Sequence, residues 1–369
     1  MRIALDARPL RVREGSGLTV FLSSLLEALG GMDGEHEYLL YAHAGFDWQP
    51  PAGLRATQRA GGGLHGTVWM QSLVPRWVRQ DRVDVFWGTQ HTLPLLLPRR
   101  LPAVLSFHDL AHRRIPHTMQ RTNYWVNRTL IPPSVRRADV LVALSETTAG
   151  ELRQDLHVPA ERIRVALPGV ATDFRPLDRA AARRALAAHL PGPEPYLLAV
   201  GALEPKKNLI TSLRAWARIA ARWPHRLVVA GPAGWKVQAA LDLLETPALR
   251  GRVVRLGYVP RPLLPALYAG ADLFLFPSIY EGFGMPVAEA MACGAPVVTS
   301  NVSSLPEAAG GAALLVDPLD DAALAGAIES VLSDPARRAD LVQRGLARAA
   351  RLRWSATAQR YLEIFAELR

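Results

Sequence analysis

The strongest constraint on how this chain folds is a regular alternation of short, β-rich apolar runs with longer segments of helical period, an alternation that starts afresh near the middle. Strands joined by helical crossovers lie parallel in one sheet with helices on both faces. In the first half, strand patterns fall at residues 2–6, 37–42, 83–87, 103–107 and 140–144, and helical ones at 18–29 and 147–156. Pro168-Gly169, Arg175-Pro176 and Pro191-Gly192-Pro193 then interrupt the pattern, because proline and glycine punctuate regular structure. Strand patterns resume at 196–201, 226–230, 253–256, 271–277, 296–299 and 313–316, with helical ones at 209–222, 287–293, 321–332, 336–351 and 354–368. Two doubly wound α/β domains facing across a cleft are expected, the first over 1–175 and the second over 176–353.

Composition narrows the function classes. A length of 369 residues suits two domains, and 49% apolar with 21% charged residues is the balance of a globular protein. The one cysteine, Cys293, excludes an internal disulfide and cysteine-clustered metal sites. MRIALDARPL carries charges where a signal peptide needs an apolar run, and no run approaches the roughly 18 apolar residues of a membrane span. A cytoplasmic protein is the expectation, with any membrane contact peripheral. Segments 69–82 and 121–137 mix Trp, Leu and Arg in the manner of a surface that meets anionic lipid. The net charge of +10 comes from 40 arginines against three lysines. Such a charge also admits a nucleic-acid-binding protein, but the arginines are spread through the helices of both halves rather than clustered with stacking aromatics. Nucleic acid is therefore not an expected partner.

Two of the three lysines, Lys206 and Lys207, stand together in YLLAVGALEPKKNLI, on the loop between a strand and a helix that Asn208 is placed to cap. In a chain that otherwise uses arginine, this pair reads as a clamp for a diphosphate. The segment ADLFLFPSIYEGFGMPVAEAMACGAPVV sets a buried strand, a glycine-hinged loop, and a helix with Pro286 in its first turn and Gly294 at its end. Ligands of open α/β sheets bind at the carboxyl ends of strands, where helix N-termini favour anions. Glu281 at the strand end and Glu289 in the helix are expected to face one crevice. In FHDLAHRRIPH, His108 ends another strand and is a candidate catalytic residue. Gly15-Ser16-Gly17 offers a loop to an anion, but Val20 replaces the third glycine of a dinucleotide fingerprint, so a nicotinamide fingerprint is a poor fit.

Taken together these segments resemble the retaining glycosyltransferases of family 4, which have the GT-B fold, and the resemblance covers almost the whole chain. Its most specific part is a Glu-x7-Glu signature at Glu281 and Glu289 within EGFGMPVAEAMACGAPVV, supported by GALEPKKN, RADVLVALSETTAGEL and the terminal helix from Trp354. The resemblance implies that Glu289 holds the nucleotide ribose and Glu281 the transferred sugar. It gives Phe283, Gly284 and Met285 backbone contacts to sugar or phosphate, Lys206 and Lys207 the leaving diphosphate, and His108 the sugar beside the anomeric centre. Gly17 would close on the phosphates, and Gly257 and Val259 would flank the base. It also implies that helix 354–369 packs back on the first domain. Many members carry an arginine after the glycine that ends the first strand of the second domain, and here Ala202 stands there, so the second cationic contact falls to Lys206.

The implied activity is transfer of a hexose from a nucleotide-diphosphate sugar, GDP-mannose favoured and a UDP-sugar open, to a hydroxyl of a glycan or lipid-linked acceptor. No bound cofactor or metal is expected, in keeping with the absence of any Asp-x-Asp sequence. The rival readings are a sugar-nucleotide epimerase of the same fold and a basic nucleic-acid-binding protein.

Overall fold

The computed structural model describes residues 1–11, 16–190 and 192–369. The chain divides into two compact units, Met1–Gly169 with Arg353–Arg369, and Val170–Leu352.

The first unit holds a seven-stranded sheet in the order β3-β2-β1-β4-β5-β6-β7. The strands are β1 (Arg2–Asp6), β2 (Glu37–Ala42), β3 (Ala56–Ala60), β4 (Val85–Gly88), β5 (Ala103–Phe107), β6 (Val140–Ala143) and β7 (Ile163–Val165). All neighbours pair in parallel. The second holds six strands, β8 (Tyr196–Val200), β9 (Arg226–Ala230), β10 (Val253–Gly257), β11 (Leu273–Phe276), β12 (Val297–Ser300) and β13 (Leu314–Val316), in the order β10-β9-β8-β11-β12-β13, again all parallel. Central strands such as β4, β5 and β11 are buried along their length, as sheets covered on both faces require. In each unit the strand order reverses beside the first strand, at β1/β4 and at β8/β11, and loops leaving the carboxyl ends there diverge to opposite faces and leave room for a ligand.

The expected alternation is present. Two strands escape a reading by apolar pattern. β3 (ATQRA) is a half-exposed edge strand with almost no apolar content, and β7 is only three residues long. Segment 69–82 is built into the first unit's core through the helices Gly66–Ser72 and Val74–Gln80, with Trp69 fully buried and 5.6 Å from Trp77 between ring centres.

The last helix, Trp354–Glu367, belongs to the first unit. Trp354 meets Phe21 edge-on at 5.5 Å. Tyr361, fully buried, shares the Ser106 hydroxyl with Trp87: Tyr361 Oη lies 2.7 Å from Ser106 Oγ, and Trp87 Nε1 donates to the same oxygen at 2.9 Å. Each buried polar group is thereby satisfied, which avoids a desolvation cost of about 1–3 kcal/mol per orphaned group.

Candidate active site

The second unit concentrates its chemistry at the carboxyl ends of β8 and β11. The loop after β8 closes with a 3-10 turn, Pro205–Lys207. The carbonyl of Lys206 accepts from the backbone N–H of Ile279 at 2.8 Å, and Ser278 Oγ lies 2.7 Å from the same carbonyl. Asn208 does not act as the side-chain cap that its position before the helix Leu209–Ile219 suggests. It takes a left-handed conformation (φ 54°) and makes no side-chain bond to the helix N–H groups. Its amide nitrogen instead donates to the carbonyls of Pro277 (3.0 Å) and Pro318 (2.6 Å). The residue thus ties the lysine loop to two neighbouring strand-end loops.

That anchoring brings Lys207 Nζ within 2.7 Å of Glu281 Oε1 and 5.0 Å of the centre of the Phe276 ring. Ser278 Oγ lies 2.6 Å from the same carboxylate oxygen. The main chain of Glu281 is clamped as well, with Ser303 and Ser304 hydroxyls donating to its carbonyl at 2.5 and 2.8 Å. Burial by itself would raise the pKa of Glu281, but the Lys207 and Lys206 charges and the hydrogen bonds hold it below the usual carboxylate range. An ionised carboxylate therefore sits at a strand end with Oε1 engaged and Oε2 without a protein hydrogen bond among the described residues.

Glu289 lies two turns further on, in the helix Met285–Ala292, and its environment is opposite. It too is buried, but its neighbours are the Tyr268 hydroxyl at 3.3 Å and the Arg261 guanidinium at 3.6 Å. Burial outweighs both and pushes its pKa up to about 7. The two carboxylates share no hydrogen-bond partner and divide into one held below the usual carboxylate range and one that titrates near neutrality. Cys293, one turn on, has its thiol raised to about 12 by burial and by Glu289, which leaves it inert as a nucleophile.

Gly284 opens the Glu289 helix at φ 105°, and a Cβ there would stand 2.7 Å from Leu305 Cδ2. Both the dihedral and the packing require glycine. Gly284→Ala is expected to destabilise the second unit by about 2 kcal/mol, the usual size of such backbone strain, read as a lowered urea midpoint with unchanged slope. Phe283 beside it is buried, and Met285 is the first residue of the helix. Gly257 ends β10, and its carbonyl accepts from Gly231 at 2.7 Å. Gly257 and the half-buried Val259 lie along the same sheet edge, on the far side of β9 from β8.

In the first unit His108 follows β5. Its Nε2 is 2.8 Å from the Thr89 carbonyl, which accepts only, so the ring proton sits on Nε2 and Nδ1 remains an acceptor. Its backbone N–H donates to His91 Nε2 at 2.9 Å, and Phe21 meets its ring edge-on at 5.0 Å. Burial lowers its pKa, against the Thr89 carbonyl and Asp109. A neutral imidazole, fixed in orientation and tautomer, results. Gly17 is the first residue of the helix Gly17–Gly30, whose cap is Ser16, with Ser16 Oγ accepting from Thr19 N at 3.2 Å. Gly15, the other glycine of that pair, lies outside the described residues. His112 is buried, its pKa driven down to about 4 by desolvation, while Arg114 pairs with Asp155 at 2.9 Å.

The structure therefore joins Lys206, Lys207 and Glu281 into one network and gives Glu289 its own. Ser278, Asn208, Ser303, Arg261 and Tyr268 in the second unit and Thr89 and His91 in the first were missed from sequence. Ser278 and Asn208 adjoin the groups they position, and Asn208 was read as a cap instead; the others lie some 17 to 28 residues along the chain from the group they position.

Two doubly wound parallel units, with cations and carboxylates at the strand ends of the second, define a GT-B glycosyltransferase. Solved structures agree in fold: sucrose-phosphate synthase from Thermosynechococcus elongatus superposes with a TM-score of 0.79 at 23% identity, covering 100% of this chain and 99% of that one. Anabaena Alr3699/HepE in complex with UDP-glucose gives 0.78 at 18%, covering 100% of both chains. The profile described as Glyco_transf_4, Glycosyltransferase Family 4, matches residues 15–174, and that of Glycosyl transferases group 1 matches 185–348. O-antigen chain mannosyltransferase B of Escherichia coli is 35% identical over 283 residues, covering 75% of this chain and 73% of that protein. D-inositol 3-phosphate glycosyltransferase of Thermobispora bispora is 40% identical over 242 residues, covering 62% of this chain and 56% of the relative. The chain belongs to glycosyltransferase family 4.

Proposed function

We propose that this glycosyltransferase is a retaining hexosyltransferase that takes mannose from GDP-mannose and transfers it to a hydroxyl of a glycan or lipid-linked acceptor in polysaccharide synthesis. The observation that carries the reading is the Lys207–Glu281 pair at 2.7 Å, with Glu281 Oε2 left for a ligand. In the reaction the bond between the anomeric carbon and the diphosphate oxygen breaks. A bond to the acceptor oxygen forms, and the acceptor proton passes to the departing diphosphate. Positive charge develops on the sugar and negative charge on the diphosphate, so cations fixed beside the latter lower the barrier. Lys207 and Lys206 take that role, and Glu281 accepts hydroxyls of the sugar through Oε2. Glu289 accepts the ribose hydroxyls, Phe283, Gly284 and Met285 contact sugar or phosphate through their backbone, and Gly17 closes on the phosphates. Gly257 and Val259 flank the base, and neutral His108 accepts from a sugar hydroxyl beside the anomeric carbon.

The mannose assignment rests on the O-antigen mannosyltransferase relative, and the reading needs no metal or resident cofactor. It carries cytoplasmic action, where nucleotide sugars are made. No helix among the described residues is long and apolar enough to cross a membrane. Peripheral contact with anionic lipid would use the helix Arg121–Arg137, where Trp125 is 60% exposed beside the exposed Arg121 and Arg128.

The test is nucleotide release from GDP-mannose, UDP-glucose and UDP-N-acetylglucosamine without added metal, with and without a lipid-linked glycan. Release from GDP-mannose that depends on the acceptor is expected. Turnover with a UDP-sugar alone overturns the donor assignment, and donor consumption without acceptor points to an epimerase.

A further inference from the structure

The first unit carries a second group of cations that no role above uses. Arg8 and Arg11 bound a 3-10 turn just after β1, and His43 directly follows β2. β1 and β2 run parallel, with Asp6 opposite Tyr41, so all three residues emerge at the same carboxyl edge. Arg8 is spent on Asp6, whose two oxygens accept from Nε and Nη2 at 2.8 and 2.7 Å. Arg11 has no such counter-charge. Its Nη1 lies 2.6 Å from His43 Nε2, its Nε is sealed from water without a hydrogen-bond partner, and no carboxylate among the described residues pairs with it. His65, which caps the helix Gly66–Ser72, adds a further imidazole in the field of His43. Gly66 keeps the group tight, since a Cβ there would come within 3.3 Å of Arg8 Nη1 and 3.5 Å of His43 Cε1.

A guanidinium held against a neutral imidazole, with the one carboxylate, Asp6, already paired to the second guanidinium, leaves a net positive charge and Nη2 of Arg11 without a hydrogen bond to a described residue. A planar fork of that kind matches a phosphoryl group. The group is also coupled to the reacting end of the unit. Asp6 accepts from Gln90 Nε2 at 3.1 Å, and its carbonyl accepts from the Thr89 hydroxyl at 2.6 Å. Thr89 in turn supplies the carbonyl that fixes His108. An anion bound at Arg11 would therefore stand in a fixed relation to His108.

We propose that Arg11, supported by His43, Arg8 and His65, is a recognition site for a phosphate group carried by the acceptor. The proposal rests on the transferase reading and adds the acceptor's chemical class to it. A phosphoryl group reaches such a site on a soluble sugar phosphate or on a lipid diphosphate, and the two sources are separated by the probes. Calorimetry is run with mannose 6-phosphate and farnesyl diphosphate, and with mannose and farnesol as neutral controls, in a Lys207→Ala background that removes one of the two donor-side cations.

At least one phosphorylated probe is expected to bind at least tenfold more tightly than its neutral control, and which one it is names the source. Arg11→Gln should weaken that binding about tenfold or more, and Arg11→Lys, which keeps the charge and loses the fork, by less. Equal binding by Arg11→Gln and its parent, or no preference of either phosphorylated probe over its control, overturns the proposal. GDP binding by the unsubstituted protein and by Arg11→Gln alone is measured alongside. It should be equal in the two, and its absence in both would count against the donor reading instead.

Discussion

Lys207→Ala is expected to lower kcat/KM by about 10²–10³-fold, the usual loss when one preorganised donor to a developing negative charge is removed. The fall should lie mainly in kcat, because the charge on the departing diphosphate exists in full only as the bond breaks. The same substitution acts on stability, since it leaves the buried Glu281 carboxylate without its nearest cation, 2.7 Å away in the intact protein. Removing one member of a buried pair costs about 3–5 kcal/mol, reduced here because Ser278 and Lys206 remain. The pH dependence has a definite sign. Glu281 is held below its ordinary pKa in the folded state, so its contribution is present above the unfolded carboxylate value and is lost as pH falls through the folded one. In Lys207→Ala that acid-side loss should shrink, as read from denaturant midpoints between pH 3 and 6. Unchanged kcat in the variant would remove Lys207 from the diphosphate.

The second large effect belongs to Glu289, whose burial raises its pKa to about 7. With Glu289 on the ribose as proposed, only its ionised form would accept from both hydroxyls, so kcat/KM should climb about tenfold per pH unit below that value and level off above it. Glu289→Gln should lose that limb and weaken donor binding at pH 8. Stability moves the other way. A carboxyl whose folded pKa lies above its unfolded one stabilises the fold fully below the unfolded value, and the contribution is lost as pH rises through about 7. The sum is up to about 3 kcal/mol at 1.36 kcal/mol per unit. Glu289→Gln should therefore unfold with a midpoint that is flatter from pH 5 to 8. A parent enzyme whose kcat/KM is flat across pH 6–8 would contradict the assignment of Glu289 to the ribose.

The contrast between the two carboxylates shows where sequence reading stops. Their spacing, their strand-end and helical positions, and the glycines around them are local properties, and local pattern was enough to place both. Their charge states were not legible, because those depend on groups brought from far along the chain: Lys207, 74 residues before Glu281, and Arg261 and Tyr268 for Glu289. Asn208 makes the same point. Its place before a helix suggests a cap, yet its amide nitrogen donates to two carbonyls from distant loops, and its side-chain oxygen accepts from the Thr211 hydroxyl rather than from a helix N–H.

What the sequence determined by itself was the parallel α/β class, the restart into a second domain, most strands, and the loops that carry Lys206, Lys207, Glu281, Glu289 and His108. All of these follow from apolar period and from the glycines and prolines that punctuate it, which act within a few residues. What only the tertiary structure decided was the order of the strands, the tautomer of His108, the split between Glu281 and Glu289, and the placing of Arg11 against His43 with no carboxylate partner among the described residues. Each of these is set by burial and by charges that meet across the sheet edge, and desolvation and Coulomb energies depend on distance in space rather than along the chain.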